Sequence, residues 1–172
     1  WDAERGMQLI ERERIPSRGG VPPAACKIVE HPNRENYDLS SLEAISYGGA
    51  PAASELVKRI KDVFPKSAPG LGWGMTETTA AVATHNGEDY VNRPESTGPA
   101  VPINELAIVD DDWNRLPAGT IGELIVKGPN VIAGYWNRPE ANASLFRDAW
   151  FRPGDLAKLD EEGFLFIVDR KK

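Results

Sequence analysis

The stretch Ala44–Thr79, AISYGGAPAASELVKRIKDVFPKSAPGLGWGMTETT, decides the fold. Ala44 to Tyr47 is a short apolar run that reads as a strand, and Gly48-Gly49-Ala50-Pro51 turns the chain into a helix that begins at Pro51. Leu56, Val57, Ile60, Val63 and Phe64 then recur at helical spacing, while Glu55, Lys58, Arg59, Lys61 and Asp62 cover the opposite face. Pro65 ends the helix, and Ser67 to Gly72 reads as a second strand. Strand, helix and strand with short connections predict a right-handed crossover in a parallel sheet. Ligands of such sheets bind beyond the carboxyl ends of the strands. The turns at Gly48 to Pro51 and Gly72 to Glu77 both leave at that end, so they are expected to line one crevice.

The second turn, GWGMTETT at Gly72 to Thr79, is dense in chemistry. Its glycines let a backbone approach a ligand with no Cβ in the way. Trp73 offers a flat face, Thr76 a hydroxyl suited to phosphate oxygens, and Glu77 a hard oxygen ligand for Mg²⁺. The same residues, taken alone, also describe a strand end running into a glycine-rich turn with a half-buried Trp.

On the N-terminal side, Asp2 caps a helix running to about Arg14, with Met7 and Ile10 as its apolar stripe. Gly19 to Val21 is a candidate short strand. Pro22-Pro23 opens a helix carrying Ile28 and Val29 and ending before Pro32. Past about Thr97 the rhythm changes to short strands, at Glu105–Val109, Ile121–Lys127, Asp155–Leu159 and Gly163–Val168, separated by tight turns. One helix interrupts them, from Pro139 to Phe146 with Asn137 as cap. The fold class is therefore α/β: part of a parallel-sheet subdomain over residues 1–97, then a small antiparallel β subdomain, a distorted barrel, over 98–168. The 16 glycines and 14 prolines are spread across turns and mark many tight connections.

A net charge of −6 over 172 residues supplies no basic field for a nucleic-acid backbone, so nucleic acid is not expected as a partner. The single Cys26 excludes an internal disulfide and fits a reducing compartment. His31 and His85 have no ligand spacing and read as solvated surface residues. With neither an apolar run long enough to span a membrane nor a secretory leader, the reading is a soluble, cytoplasmic protein. Asp169-Arg170-Lys171-Lys172 follows an apolar strand directly, which reads as a cut through a longer protein.

Five ordered segments together resemble the adenylate-forming superfamily of acyl-CoA synthetases, coumarate-CoA ligases, luciferases and peptide-synthetase adenylation domains. They are WDAERGMQLIERER with GGVP at Gly19 to Pro22, YGGAP at Tyr47 to Pro51, GWGMTETT, GELIVKGPNVIAGYW at Gly122 to Trp136, and WFRPGDLAKLDEEGFLFIVDRKK at Trp150 to Lys172. The overall likeness is to fatty-acyl-CoA synthetases, which implies an ATP-dependent, AMP-forming ligase. The resemblance implies that a carboxylic acid, expected to be a fatty acid, becomes an acyl-adenylate and is passed to coenzyme A, with Mg²⁺ assisting.

The resemblance implies that Gly48, Gly49, Ala50 and Pro51 lie along adenine and that Trp73 stacks on or edges it. Thr76 would hold phosphate and Glu77 would hold Mg²⁺, the two catalytic candidates. Asp155 would accept hydrogen bonds from both ribose hydroxyls, and Arg170 would contact the ribose and phosphate side. Gly74, with Gly49, would border the acyl pocket and the nucleotide. Lys172 would fall at the hinge to a C-terminal domain, so residues 169–172 would begin that hinge. The family's phosphate loop would lie upstream of Trp1 and its catalytic lysine beyond Lys172, so the isolated chain is expected to be inactive. A non-catalytic nucleotide-binding or interaction module, and a luciferase-like or carrier-protein adenylating enzyme, are the alternatives.

The chain departs from the family pattern at Leu71, Pro153 and Ser17-Arg18. Leu71 replaces a polar residue before the aromatic motif, and Pro153 replaces a hydroxyl residue and its N–H. Outside the resemblance the bland readings are plain. Asp155 is a Gly-Asp turn residue, Glu123 a structural tie, and Arg170-Lys171-Lys172 a solvated tail. Tyr135, Trp136 and Trp150 read as packing aromatics and Cys26 as a small buried hydrophobe.

Overall fold

The computed structural model describes residues 1–50 and 52–171; Pro51 and Lys172, expected along adenine and at the hinge, lie outside the described residues. The chain divides into two compact units, Trp1–Gly72 with His85–Glu95, and Trp73–Thr84 with Ser96 onward.

The first unit begins with α1 (Ala3–Glu13). The Asp2 side chain accepts from the Arg5 N–H, and Ala3, Met7 and Ile10 form the buried stripe. Strand β1 is Ser17–Arg18, slightly earlier than the expected Gly19–Val21, because its ladder to the next strand begins at Ser17 opposite Ala44. Helix α2 spans Pro22–Val29, β2 spans Ala44–Gly48, and α3 spans Ser54–Val63. Helix α3 thus starts at Ser54 and not at Pro51, with Ala53 extended at its N-cap and lacking a side-chain cap. Its apolar face behaves as expected: Leu56, Val57 and Ile60 are buried, with Val63 and Phe64 packed beside them.

Strand β3 (Ala68–Met75) lies parallel to β2, in a register that places Gly48 opposite Gly72. A Cβ on Gly48 would sit 2.6 Å from the Gly72 carbonyl oxygen, so close strand approach fixes glycine there. The crossover of the sequence reading is present, and the strands end side by side. Strand β4 (Ala80–Asn86) and α4 (Gly87–Asn92) were not expected. Reversal between β3 and β4 is carried by Thr79 and Ala80, both non-glycine residues at positive φ of 53° and 106°, which gave no turn signal. The sheet runs β1-β2-β3-β4.

Two phenols lie at the centre of this unit. Tyr47 and Tyr90 are fully buried and their hydroxyls share a hydrogen bond of 3.0 Å. Burial holds the Tyr90 hydroxyl, like that of Tyr47, in its neutral form by raising its pKa. His85, expected at the surface, is instead buried and tilts against the Tyr90 ring at 5.2 Å between centroids. Either Tyr47→Phe or Tyr90→Phe is expected to cost about 1–3 kcal/mol, by stranding the other hydroxyl, whereas the double variant is expected to recover most of that loss. Chemical denaturation of the two single variants and the double variant measures this cycle.

The second unit is built on an antiparallel sheet. Its elements are β5 (Glu105–Val109), β6 (Gly122–Lys127), α5 (Pro139–Leu145), β7 (Phe146–Arg147), β8 (Trp150–Phe151), β9 (Asp155–Leu159) and β10 (Leu165–Arg170). Strand order is β10-β9-β6-β8-β7, with β5 paired to β6, so the sheet is antiparallel as expected but is no closed barrel. Helix α5 has Arg138 at its N-cap, while Asn137 takes a left-handed φ of 52° before it. Two cores flank β6: Val82, Ala83, Ile108, Leu124, Val126, Ala157 and Leu165 in one, and Ala107, Val109 and Ile125 in the other. Trp150 packs on the smaller core as expected, but Trp136, expected to pack as well, is 96% exposed. Cys26 is a free, half-buried thiol against the core of the first unit.

Candidate functional site

GWGMTETT is half strand. Trp73, Gly74 and Met75 continue β3, and Thr76, Glu77 and Thr78 form a 3₁₀ turn. Thr78, which carries no signal of its own in the sequence, locks that turn. Its buried hydroxyl accepts from the Met75 N–H at 3.0 Å and lies 3.0 Å and 2.8 Å from the Met75 and Ala80 carbonyls. A second loop clamps the turn from outside. The Asn130 amide donates to the Thr78 carbonyl at 2.7 Å, Thr79 donates its hydroxyl to the Asn130 carbonyl at 2.8 Å, and the Ile132 N–H donates to the Glu77 carbonyl at 2.9 Å. Thr76 is left exposed at the head of the turn.

The Glu77 side chain is half-buried, and its Oε1 accepts from the Tyr135 hydroxyl at 2.8 Å. Tyr135 packs edge-on against Phe146, as expected of a packing aromatic, but its hydroxyl also aims a carboxylate. Desolvation and the bond to Glu77 push the Tyr135 phenol up to about 12. Raised from 10, this group contributes stability that is complete below 10 and is lost as pH rises through about 12. Ultraviolet difference titration is expected to show delayed tyrosine ionisation, and Tyr135→Phe is expected to remove a component at about 12 while the buried Tyr47 and Tyr90 still ionise late.

Among the described residues no cluster of three or more His, Cys, Asp or Glu side chains could hold a metal. Glu77 therefore suits only a cation that takes one protein carboxylate and completes its shell with water and phosphate oxygens, which is the habit of Mg²⁺.

Asp155 and Arg170 face each other on the β9–β10 ladder, as register partners. Asp155 is only 4% exposed; its Oδ1 lies 3.5 Å from Arg170 Nε, and its Oδ2 is buried without a hydrogen-bond partner. Burial raises the Asp155 carboxyl above its ordinary value, and the Arg170 charge and the Trp73 indole pull it back only in part. Trp73 is half-buried against the larger core of this unit. Within the second unit, then, Trp73, Asp155 and Arg170 come together, as do Glu77 and Tyr135. An acceptor left unpaired on a buried carboxylate is costly until a donor reaches it.

Gly48, Gly49 and Ala50 sit in the first unit, where β2 ends. Gly49 is exposed at φ 72° with open space around its Cβ position, and Ala50 is exposed. Leu71, a departure from the family pattern, is partly buried against the core of that unit, so its side chain serves packing.

The sequence matches the AMP-binding enzyme family over residues 1–136. It is 36% identical to a feruloyl-CoA synthase of Amycolatopsis sp. over 176 residues, covering all of this chain and 35% of that protein. It is also 36% identical to a long-chain-fatty-acid–CoA ligase of Bacillus subtilis (strain 168), covering all of this chain and 30% of that protein. The chain thus spans about a third of the length of the curated relatives it matches. Among solved structures it resembles an amide bond synthetase of Marinactinospora thermotolerans, with TM-score 0.91 and 33% identity over 99% of this chain and 34% of that one. It also resembles O-succinylbenzoate coenzyme A synthetase of Bacillus subtilis in complex with ATP and magnesium ion, with TM-score 0.89 and 30% identity over 99% of this chain and 34% of that one. The chain belongs to the AMP-binding, adenylate-forming enzyme family. No helix among the described residues is long and apolar enough to cross a membrane.

Proposed function

We propose that this chain carries the ribose-binding and metal-binding part of an enzyme that activates a carboxylic acid with ATP and transfers the acyl group to coenzyme A. The observation that carries the reading is the buried Asp155 with one unsatisfied oxygen beside Arg170 and Trp73. A carboxylate has acceptors for two hydroxyls, which is what the two vicinal hydroxyls of a ribose present. Arg170 then faces the phosphate side, and Trp73 offers its ring to adenine, along which Gly48, Gly49, Ala50 and Pro51 run. Gly74 brings bare backbone to the nucleotide and the acyl pocket.

Thr76 donates its hydroxyl to the phosphates, and Glu77, aimed by Tyr135, holds Mg²⁺. When bound there, Mg²⁺ would neutralise phosphate charge. The substrate carboxylate attacks the α-phosphorus and pyrophosphate leaves. The acyl-adenylate then meets the thiol of coenzyme A, and AMP departs. Residues 1–97 and 98–168 serve as the α/β and β-rich subdomains, and residues 169–172 begin the hinge, at Lys172, to a following domain. The relatives named for feruloyl and long-chain fatty acids support an acid substrate whose identity lies with residues outside this stretch, with a fatty acid as the working assignment. The amide bond synthetase among the neighbours supports a second reading, in which an amine takes the place of the thiol.

The 172-residue chain alone is expected to show no ATP–pyrophosphate exchange with any carboxylic acid. Exchange by this chain alone would overturn that part of the proposal. In the full-length protein, Glu77→Gln is expected to raise the Mg²⁺ concentration needed for half-maximal exchange by roughly tenfold or more, as one charged ligand is lost. An unchanged Mg²⁺ dependence removes Glu77 from the metal site.

A further inference from the structure

Glu123 is a buried carboxylate in β6, only 6% exposed, and it stands in register with Leu156, the neighbour of Asp155. Two cations converge on its Oε2: Arg152 Nε at 3.5 Å and Lys171 Nζ at 3.0 Å. Arg152 lies three residues before Asp155, across the Pro153-Gly154 turn, and Lys171 directly follows Arg170. The two arms are tied again through the backbone, because the Lys171 N–H donates to the Gly154 carbonyl at 2.7 Å.

Each cation is seated from its far side as well. Arg152 lies over the Trp113 ring at 4.0 Å and donates to the Asp110 carbonyl at 2.9 Å, and Lys171 reaches Asp111 at 2.7 Å. The set Glu123, Asp111, Arg152 and Lys171 is neutral overall, so burial of Glu123 is matched by charge.

Resting on the ribose reading of Asp155, we propose that Glu123 is a positioning residue that holds the two arms of the ribose cradle, one through Arg152 and the other through Lys171. A generic structural ion pair needs only one partner from anywhere in the sheet. Here both cations flank the two residues that face the sugar. The notion of a solvated basic tail fails for Lys171, whose amine is held by Asp111 and Glu123 and has its pKa raised by both.

The test is calorimetric titration of the full-length protein with AMP and with 2′,3′-dideoxy-AMP, comparing their dissociation constants. Wild type is expected to favour AMP by roughly tenfold or more, and Asp155→Asn is expected to abolish that preference. Glu123→Gln and Lys171→Met are each expected to weaken AMP by roughly five- to tenfold while leaving the dideoxy nucleotide within about twofold, and Lys171→Arg is expected to restore the preference. If Glu123→Gln does not fold, Lys171→Met decides, because that side chain is 39% exposed and tolerates replacement.

Equal weakening of both nucleotides, or a lowered melting temperature with the preference intact, rejects the positioning role while the ribose reading stands. Absence of any preference in wild type, or its survival in Asp155→Asn, overturns the ribose reading and the positioning role together.

Discussion

Asp155→Asn is expected to weaken AMP binding by between ten- and a hundredfold while leaving the protein at least as stable as the original at neutral pH. The two effects have opposite signs because one carboxylate serves the ligand at the expense of the fold. Two hydrogen bonds from ribose to a charged acceptor are each worth about 1.5–3 kcal/mol, and Asn keeps only one of the two acceptors. Without the nucleotide, the same charge is buried with Oδ2 unpaired and with Arg170, itself 67% exposed, 3.5 Å from Oδ1.

Burial raises the Asp155 carboxyl above 3.8, so its favourable contribution to folding is complete below 3.8 and is lost as pH rises through the folded value. Above the folded value the full penalty applies, and Asn does not bear it. The stability advantage of the variant should therefore shrink as pH falls toward 4. Nucleotide titrations and thermal melts over a pH series measure both halves. A variant that melts earlier and binds AMP unchanged would make Asp155 a residue of the fold alone.

Gly74→Ala is expected to be strongly destabilising, with the tightest Cβ clash among the described glycines compared. A Cβ there would lie 1.9 Å from the Ala80 carbonyl oxygen and 2.7 Å from Ala81 Cα, all backbone that cannot swing aside. Overpacking of this kind costs about 3 kcal/mol, or roughly a 10 °C fall in melting temperature for a protein of this size. Gly49→Ala gives the contrast, since its Cβ would meet nothing within 4 Å and only the φ of 72° is strained. That change is expected to cost about 1 kcal/mol. Equal losses in the two variants would show that β4 does not approach β3 as closely as described. The glycine at 74 thus has a reason to be glycine before any ligand is considered.

The crossover from β2 through α3 to β3 was legible because its signals are local. Leu56, Val57 and Ile60 repeat at helical spacing, and Gly48 and Gly72 end strands that pair in the register their spacing allows. Strand β4 was not legible, because a reversal at Thr79 and Ala80 uses residue types that rarely take positive φ and is stabilised by the Thr78 hydroxyl instead. The same holds for β7 and β8, turned by Asp148 and Ala149 at φ 50° and 66°.

Asp155, Arg170 and Glu77 were picked out through ordered motifs. Tyr135 and Lys171 were assigned other parts, because the partners that give them work lie far along the chain. Glu123 reads from the sequence as a structural tie, and its two cations could not be named from GELIVK alone. Lone His85 carried no pattern that distinguishes a surface ring from one packed on Tyr90.

The most direct test of the account is acid-dependent turnover by the full-length protein with ATP, Mg²⁺ and coenzyme A across a panel of aryl and fatty acids. The account predicts AMP and pyrophosphate in equal amounts with an acyl-CoA thioester, and loss of all three products in Asp155→Ala. ADP and phosphate as the products, or thioester formation undiminished in Asp155→Ala, would contradict it.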